Sequence, residues 1–470
     1  MAEAWFILHS EARFWLALVW FAYLVALSCW IALQKREPVA TLSWIMSLAL
    51  LPVVGLLVYH LFGPQRIKRH RLKRLRARAR IEEIKFGGGA DDSTSPLMRL
   101  ALGSSGFLPS TAREVRLLVD GTATFDALVE AIGLATQHVH LEYYIFDPDH
   151  SGTRIRDALV ERARAGVTVR LLLDALGSAS ASKAFLAPLV DAGGQVAWFH
   201  RFRLRRIWRP RVNLRSHRKI AVIDGRVGFT GGINVSDSED PAQRADAYHD
   251  LHLRIEGEAV RWLQLAFSED WVYASGRPAQ VTSPWAEPGP GPIRTQVLPA
   301  GPDSPWETIH RVLIAAIGAA RRRVWLVTPY FVPGEAARMA LTSAALRGLD
   351  VRLLVPAMSD SRLVSAAARS YYDELLAAGV RVHEFPAMLH AKALLVDDDT
   401  CVLGSSNFDN RSFRLNFELC ILFEDAGVAG ALEAVLARDF ERSRRVVVGR
   451  PLAFRSRLAE ALARLLSPLL

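Results

Sequence analysis

Apolar residues near the N-terminus form two long runs. Residues 14–33 are an uninterrupted apolar run of 20 residues, and a second run over residues 39–62 contains Pro52 and Gly55. A helix of about 20 residues covers the ~30 Å hydrocarbon core of a bilayer. Because the connection between the runs is short, the pattern predicts a transmembrane helical hairpin over residues 1–65. A re-entrant hairpin is the alternative, and a cleaved signal peptide fits poorly because no basic segment precedes the first run.

From Val115 onward, β-branched and apolar runs alternate with helical patterns. Strands are predicted at 115–119, 138–146, 167–173 and 195–199, and helices at 122–136, 153–165 and 182–192. The pattern then restarts, with helices at 305–320, 335–347 and 361–378 and strands at 323–328, 350–355 and 380–385. This alternation predicts an α/β fold with a largely parallel sheet. The restart indicates that one fold is used twice.

Composition places the expected domain boundaries. Residues 66–110 are predicted to be a basic juxtamembrane segment and linker, of which 84–110 are rich in Gly, Ser and Pro. The first domain is assigned to residues 111–275, a Pro-rich linker to 276–292 and the second domain to 293–448.

Residues 449–470 are predicted to form a C-terminal amphipathic helix. Its apolar residues recur at helical spacing and are Phe454, Leu458, Leu462, Leu465 and Leu466. Packing against the protein core is the expected role of such a stripe. Contact with a membrane surface is the alternative.

The net charge of +10 comes from two basic patches. Residues 66–80 and 201–219 each hold nine Lys or Arg and no acid, so the rest of the chain is near 10 − 9 − 9 = −8. This distribution argues against nucleic-acid binding and indicates contact with anionic lipid beside a membrane segment. The positive charge after residue 62 predicts that the bulk of the chain is cytoplasmic. The patch at 201–219 either touches anionic headgroups or is a solvated loop.

One sequence motif occurs twice, once in each half of the chain. The copies are His217-x-Lys219-x4-Asp224 and His390-x-Lys392-x4-Asp397. In both copies a Gly follows the His by fourteen residues, at Gly231 and Gly404, and an Asn follows it by seventeen, at Asn234 and Asn407. Five matches at identical spacing make coincidence implausible, so both copies are predicted to build one site.

The residue types suit displacement at phosphorus. His and Lys two residues apart point to the same side of a strand, and the following turn returns the Asn to the same edge. One imidazole can attack phosphorus while the other donates a proton to the leaving oxygen. The lysines and amides stabilise the added negative charge. No metal or cofactor is needed, and no Cys/His cluster has zinc-ligand spacing.

The candidate residues have different expected roles. Each His is expected to need an orienting carboxylate, and the candidates are Asp250 after the first copy and Glu418 after the second. The motif residues Asp224 and Asp397 lie at strand ends and are expected to be structural rather than chemical. The candidate catalytic set is His217, Lys219, Asp224, His390, Lys392 and Asp397, and the candidate phosphate-binding set is Lys219, Asn234, Lys392 and Asn407.

At these motifs the chain resembles the phospholipase D superfamily, whose signature is this duplicated motif. Within it, the chain resembles the bacterial cardiolipin synthases that carry an N-terminal membrane hairpin. The segments that carry this likeness, besides the two motifs and the two apolar runs, are residues 141–146 (LEYYIF), 328–331 (TPYF), 411–418 (RSFRLNFE) and 467–470 (SPLL).

The resemblance implies two phospholipase D-like α-β-α domains in a pseudo-two-fold arrangement. It implies that His217 is the nucleophile and His390 the general acid and base, although the sequence itself does not decide which attacks. The implied reaction joins two molecules of phosphatidylglycerol into cardiolipin and glycerol at the bacterial inner membrane. The alternatives are a phospholipase D or phosphatidylserine synthase, a nuclease, and an inactive lipid-binding scaffold.

Overall fold

The computed structural model describes residues 2–33, 38–50, 94–199, 215–277, 289–304, 306–450 and 453–467. These residues fall into an N-terminal unit and a larger body. The basic run 66–80, most of the patch at 201–219 and most of the linker at 276–292 lie outside the described residues.

The N-terminal unit contains two helices, α1 (Ala2–Ala32) and α2 (Pro38–Leu50). The helix α1 includes nearly all of the first apolar run, and α2 covers the start of the second, whose residues 51–62 are not described. Large apolar side chains such as Phe14 and Trp15 are exposed along α1. Within the described residues, no helix combines the length and apolar character that crossing a membrane requires.

The body contains two large sheets. The strands up to the middle of the chain are β1 (Ser110–Ala112), β2 (Glu114–Val119), β3 (His138–Tyr143), β4 (Thr168–Asp174), β5 (Gln195–Phe199), β6 (Ile220–Ile223), β7 (Val227–Gly231) and β8 (Leu251–Glu256). The later strands are β9 (Ile293–Ala300), β10 (Arg323–Val327), β11 (Phe331–Val332), β12 (Asp350–Pro356), β13 (Arg381–Phe385), β14 (Ala393–Val396), β15 (Thr400–Gly404), β16 (Phe408–Asp409), β17 (Glu418–Glu424) and β18 (Arg444–Arg445).

Twelve helices of the body lie in the described residues. They are α3 (Pro96–Ser105), α4 (Asp120–Gly133), α5 (His150–Arg164), α6 (Lys183–Asp191), α7 (Ala259–Ser275), α8 (Thr308–Ala319), α9 (Glu335–Leu346), α10 (Arg362–Arg369), α11 (Tyr372–Ala377), α12 (Asn410–Arg414), α13 (Ala426–Arg442) and α14 (Phe454–Leu465).

The strand order confirms that one fold is used twice. The first sheet runs β2-β8-β7-β6-β3-β4-β5, and the second repeats this order as β9-β17-β15-β14-β10-β12-β13. The second sheet gains β1 and β18 at its edges. We call the half that contains the first sheet the first repeat and the half that contains the second sheet the second repeat.

The predicted largely parallel sheet is wrong, because each sheet is mixed. The strands β3, β4 and β5 are parallel, whereas β2, β8, β7, β6 and β3 pair antiparallel. The physical reason lies in the motif itself. Only a short turn with positive φ at Asp224 and Gly225 joins β6 to β7, and a connection this short permits only a hairpin.

Residues 96–105 of the predicted linker are helical. Pro96 begins α3, and the Ser95 side chain accepts a hydrogen bond from the backbone of Met98, which caps the helix. Met98 and Ala101 are buried in the core of the second repeat. The strand β1 also pairs with β9, so the chain joins the second sheet before it enters the first.

The hydrophobic core has three parts. One part lies under α4, α5 and α6 of the first repeat, and another lies under α8, α9, α10 and α11 of the second. The third is shared by both sheets and includes side chains of α7 and α13. The helix α7 contacts β9 of the second repeat, and α13 contacts β2 of the first. This shared core makes the two repeats one folding body.

Arg218 ties the repeats together inside this shared core. Its side chain is fully buried and forms an ion pair with buried Asp270 on α7. Its Nε donates to the carbonyl oxygen of Glu418 at 3.1 Å, and its Nη2 donates to that of Ala300 at 3.1 Å. The equivalent position of the second motif is Ala391, so this tie exists on one side alone.

Arg218→Met is expected to destabilise the protein by about 3–5 kcal/mol, because it removes the ion-pair partner of a buried carboxylate. The check is the thermal midpoint of the purified variant. Arg218→Met combined with Asp270→Leu should recover part of the loss, since no buried charge is then left behind. An unchanged midpoint in the single variant would contradict this account.

Candidate active site

Reciprocal backbone hydrogen bonds hold the two motif histidines beside the other repeat. The amide of His217 donates to the carbonyl of Phe417 at 2.9 Å, and that of His390 donates to the carbonyl of His249 at 2.7 Å. Phe417 and His249 stand directly before Glu418 and Asp250. Each motif therefore enters the site beside the carboxylate of the opposite repeat, and the two arrangements are related by a pseudo-two-fold.

His390 is oriented by Asp250. The imidazole Nδ1 lies 2.6 Å from Asp250 Oδ2, and since the carboxylate can only accept, Nδ1 carries the proton. Burial and the charge of Lys392 lower the pKa of His390 to about 4. Although burial alone raises the pKa of Asp250, Lys392 and His390 together hold it well below its usual value. In the site without substrate, His390 is therefore neutral, and its Nε2 carries no proton.

His217 is oriented by Glu418 through a longer contact. The distance from His217 Nδ1 to Glu418 Oε1 is 3.4 Å, and Nδ1 is also 3.2 Å from the side-chain amide of Asn416. Burial alone raises the pKa of Glu418, but His217 and Lys219 lower it below the ordinary value. The Tyr144 ring packs on the imidazole at 4.2 Å between centroids.

The orienting carboxylates are exchanged between the repeats. Asp250 follows the first motif but serves His390 of the second, and Glu418 follows the second motif but serves His217 of the first. Both residues were candidates from the sequence, and the structure places both beside the histidines. Which carboxylate serves which histidine depends on the contact between the repeats.

The Gly/Ser difference between the two motifs matches these two carboxylates. A Cβ at Gly232 would lie 2.1 Å from Asp250 Oδ1, so the position has no room for a side chain. At the equivalent Ser405, the hydroxyl donates to Glu418 Oε2 at 2.5 Å. Each carboxylate thus has a fixed support, a packed glycine in one repeat and a hydroxyl in the other.

The two motif lysines lie buried between the carboxylates. Lys219 Nζ donates to the His217 carbonyl at 2.9 Å, and Lys392 Nζ donates to the His390 carbonyl. Burial and the charge of Lys392 lower the pKa of Lys219. Burial also lowers the pKa of Lys392, although Asp250 at 3.7 Å opposes that effect. Two buried lysines, one of which lowers the pKa of the other, suit a site that receives an anion.

The two motif asparagines are buried, each three residues beyond the strand that returns from the motif hairpin. The Asn234 amide donates to Glu239 Oε1 at 2.9 Å. The Asn407 Oδ1 has no protein hydrogen-bond partner among the described residues. Their assignment to phosphate binding stays a prediction.

Glu239 is a residue of the site that sequence reasoning missed. It is buried, and its Oε1 lies 3.7 Å from His390 Nδ1. Burial and the neighbouring Asp250 raise the pKa of Glu239, which favours the neutral acid. In the sequence, the acidic segment 237–240 has the composition of a solvated loop, so nothing singles out Glu239 as a site residue. Tyr248, whose ring centroid is 5.7 Å from that of His390, was missed in the same way.

Glu239→Gln is expected to gain stability relative to the wild type as pH rises. An unfolded glutamate ionises near pH 4.5, whereas the folded site keeps Glu239 protonated to higher pH. Above pH 4.5 the unfolded wild type therefore binds fewer protons than the folded protein, and the free energy of unfolding declines. Glutamine does not titrate, so the difference in thermal midpoint should widen in favour of the variant between pH 5 and 8.

Glu433→Gln is the matched control for this pH dependence. Hydrogen bonds from Arg323 lower the pKa of Glu433, so its contribution to stability changes with pH in the opposite direction. The contribution of Glu433 to stability is present above the unfolded pKa and is lost at acid pH. This variant should therefore be less stable than the wild type at neutral pH, with the gap closing on acidification. A parallel response of the two variants would contradict the assignment of Glu239.

Asp224 and Asp397 lie at the far ends of β6 and β14 and do not join the histidines. Asp224 accepts backbone hydrogen bonds from Thr136, Gln137 and His138, each at 2.8 Å. The Asp397 carboxylate accepts them from residues 321–323 at 2.8–3.2 Å. These hydrogen bonds agree with the expected structural role, and the place of both residues in the candidate catalytic set stays a prediction. They fix the loops that precede β3 and β10.

His249 braces the contact between the repeats beside Asp250. Its Nδ1 lies 2.7 Å from Asp120 of the first repeat, and its Nε2 lies 3.1 Å from Asp439 of the second. Burial alone lowers the pKa of His249, but hydrogen bonds to the two carboxylates raise it to about 10. A charged imidazolium thus links the repeats next to the His390 orienter.

Within the described residues, one group has ligand atoms placed closely enough for a metal ion. Glu239, Asp250 and His390 offer atoms within 4.8 Å of one another. Lys392 Nζ lies 3.7 Å from Asp250 Oδ2 and places a positive charge against this group. The positive charge of Lys392 disfavours a metal cation at this position, and Asp250 already accepts the Nδ1 proton of His390.

A family model described as "Cardiolipin synthase, PLD-like domain" matches residues 128–271 and 313–441. The chain belongs to the cardiolipin synthase family of phospholipase D-like proteins. A second model, described as the phospholipase D-nuclease N-terminal segment, matches residues 17–64 of this family member.

Curated members of the cardiolipin synthase family align along nearly the whole chain. Cardiolipin synthase 2 of Bacillus anthracis is 38% identical over 463 residues, which covers 94% of this chain and 89% of that protein. Cardiolipin synthase of Geobacillus sp. (strain WCH70) is 38% identical over 462 residues, 94% of this chain and 91% of that protein.

A solved structure shares the fold of this cardiolipin synthase family member. Phosphatidylserine synthase of Haemophilus influenzae Rd KW20 superposes with a TM-score of 0.62 at 14% identity. The match covers 80% of this chain and all of that one. At this identity the likeness concerns the fold alone.

Proposed function

We propose that this protein is a cardiolipin synthase that transfers a phosphatidyl group from one phosphatidylglycerol to another through a phosphatidyl-histidine intermediate. The observation that carries the proposal is the pair of histidines, each oriented by a carboxylate of the opposite repeat, around two buried lysines. The full-length similarity to cardiolipin synthases supports the choice of lipid.

In the first half of the reaction, His217 Nε2 attacks the phosphorus of phosphatidylglycerol. A phosphorus–nitrogen bond forms, the bond to the glycerol headgroup breaks, and His390 protonates the leaving glycerol oxygen. The charges of Lys392 and Lys219 lower the pKa of His390 in the free site. An anionic phosphodiester would offset both charges, so substrate binding would promote the protonation that His390 requires.

In the second half, a hydroxyl of another phosphatidylglycerol attacks the phosphatidyl-histidine. His390 accepts the proton of that hydroxyl, the phosphorus–nitrogen bond breaks, and cardiolipin leaves with His217 restored. Lys219, Asn234, Lys392 and Asn407 hold the phosphate in this scheme and stabilise the charge of the transition state. Asp250 and Glu418 fix the tautomer of each imidazole.

The lipid reaction is tested with labelled phosphatidylglycerol in vesicles and the purified full-length protein, without added metal. Formation of cardiolipin and glycerol in equal amounts supports the synthase. Phosphatidic acid as the sole product would identify a hydrolase and would overturn the proposal. Addition of serine or another alcohol tests whether acceptors besides phosphatidylglycerol enter the site.

The N-terminal unit is proposed to hold the enzyme at the bacterial inner membrane, with the body on the cytoplasmic side. The apolar run at 14–33, its exposed side chains and the basic run after residue 65 support this arrangement. The accessibility of Cys29 and of a cysteine placed at Leu346 to an impermeant thiol reagent in intact cells tests it. Labelling at position 346 from the outer side would contradict the proposed orientation.

A further inference from the structure

The C-terminal helix α14 exposes its apolar stripe. Phe454 is 77% exposed and Leu465 is 75% exposed, and Leu458 and Leu462 between them are exposed as well. Their spacing places them on one face of the helix. The prediction that this stripe packs into the core is therefore wrong. Ala463, on another face of α14, is the buried residue of the helix.

Polar and small side chains fasten the opposite face of α14 to the body. The Arg464 guanidinium lies 4.5 Å from the centre of the Tyr371 ring and donates to the Ser370 carbonyl at 3.3 Å. Arg450, which precedes the helix, forms an ion pair with Glu460 at 3.2 Å. Because these contacts fix the rotation of α14, the outward direction of the apolar stripe is built into the fold.

The surroundings of the stripe combine apolar and cationic side chains. Val447 and Val448, just before the helix, are 66% and 73% exposed. Residues 444–466 contain six arginines against the single acid Glu460. Exposed apolar residues beside an excess of arginine are the composition of a helix that lies in the headgroup region of an anionic bilayer.

The end of α14 is also linked to the segment that carries the motif Asn407. The carbonyl of Ser467, two residues after the helix, accepts a hydrogen bond from the side chain of Asn410, three residues after the motif Asn407. The neighbouring α10 contacts α14 and begins two residues after Asp360, which binds the Tyr330 hydroxyl at 2.7 Å. A hydrogen bond thus joins the end of the C-terminal helical segment to the segment that carries Asn407.

We propose that α14 and Val447–Val448 form an interfacial docking surface for anionic phospholipid. With Phe454, Leu458, Leu462 and Leu465 in the acyl boundary, the surface holds the body at the level of the lipid headgroups. This contact is additional to any held by the N-terminal unit and does not depend on which alcohol accepts the phosphatidyl group.

A fluorescent label tests this surface in the full-length protein. In a Cys29→Ser background, where the remaining Cys401 and Cys420 are buried, Leu462→Cys carries an environment-sensitive dye. The matched control is Leu346→Cys, because Leu346 is 74% exposed and ends α9 at the opposite end of the sheet.

In vesicles that contain phosphatidylglycerol, the dye at position 462 should shift to shorter wavelength and be quenched by shallow spin-labelled lipid. The dye at position 346 should do neither, and phosphatidylcholine vesicles should give a weaker response at 462. Equal quenching of both dyes by aqueous iodide would overturn the proposal. A blue shift at 462 without lipid that grows with protein concentration would also overturn it, because it would identify a second copy as the occupant.

A substitution series separates docking from chemistry. Gln in place of Phe454, Leu458, Leu462 and Leu465 together is expected to lower activity on phosphatidylglycerol vesicles at least roughly tenfold, since four apolar contacts are lost. Activity on a short-chain, water-soluble phosphatidylglycerol should be unchanged. The control combines Leu134→Gln with Leu346→Gln, which are exposed elsewhere. An equal loss on both substrates with an unchanged thermal midpoint would contradict membrane docking.

Discussion

His217→Ala and His390→Ala are each expected to lower cardiolipin formation by about 10⁴-fold or more. Both side chains act in one two-step exchange, so the loss of either stops the cycle. The measurement is the turnover of labelled phosphatidylglycerol by each purified variant. The thermal midpoint is measured beside turnover, and His390→Ala is expected to lower it, because the buried Asp250 carboxylate loses the hydrogen bond from His390 Nδ1.

The two histidine variants also assign the nucleophile. After rapid denaturation, a labelled phosphatidyl adduct should be recovered from His390→Ala and not from His217→Ala. The reverse result would exchange the two roles while leaving the mechanism intact. Near-normal turnover by either variant would contradict the two-histidine mechanism itself.

Asp250→Asn is expected to lower turnover by about 10³–10⁴-fold. An amide in place of the carboxylate can donate to His390 Nδ1 and so stabilise the wrong tautomer, as in other carboxylate–imidazole pairs. The present contact is short, at 2.6 Å, and Asp250 also lies 3.7 Å from Lys392. The loss should fall on kcat, because the carboxylate does not itself contact the lipid.

Glu418→Gln is the matched variant in the other repeat and is expected to have the smaller effect. Glu418 is 3.4 Å from His217 Nδ1, and Asn416 also contacts that nitrogen at 3.2 Å. Asp224→Asn provides the structural control, since it should lower the thermal midpoint while the turnover of the folded enzyme is unchanged. Comparable losses of turnover in Asp224→Asn and Asp250→Asn would contradict the separation of structural from orienting carboxylates.

The motif residues were predictable because their spacing follows from local geometry. A strand of four residues follows the Lys, and the hairpin turn at Asp224 returns the chain toward the edge that carries His217, so Asn234 comes back to that edge. The repeated spacing in the second half implied a second copy of the same unit. The structure confirms this with the same strand order in both sheets.

The wrong predictions share a physical cause. Each was drawn from local sequence composition, whereas the outcome depends on tertiary contacts. The Gly-, Ser- and Pro-rich segment before residue 110 suggested a linker, but Met98 and Ala101 find a buried place in the second repeat. The stripe of α14 suggested a core helix, but polar anchors turn the stripe outward. The strand–helix alternation suggested a parallel sheet. The hairpins that follow Lys219 and Lys392 add antiparallel strands, so each sheet is mixed.

The sequence by itself determined the reaction type, because residue identity and spacing along one strand place His, Lys and Asn together. It also determined that two such sets exist. Only the tertiary structure decided that each histidine takes its carboxylate from the opposite repeat, that Glu239 joins His390, and that Arg218 locks the repeats together. These contacts join residues 82 to 201 positions apart in the chain, and no local sequence pattern encodes how the two repeats pack against each other.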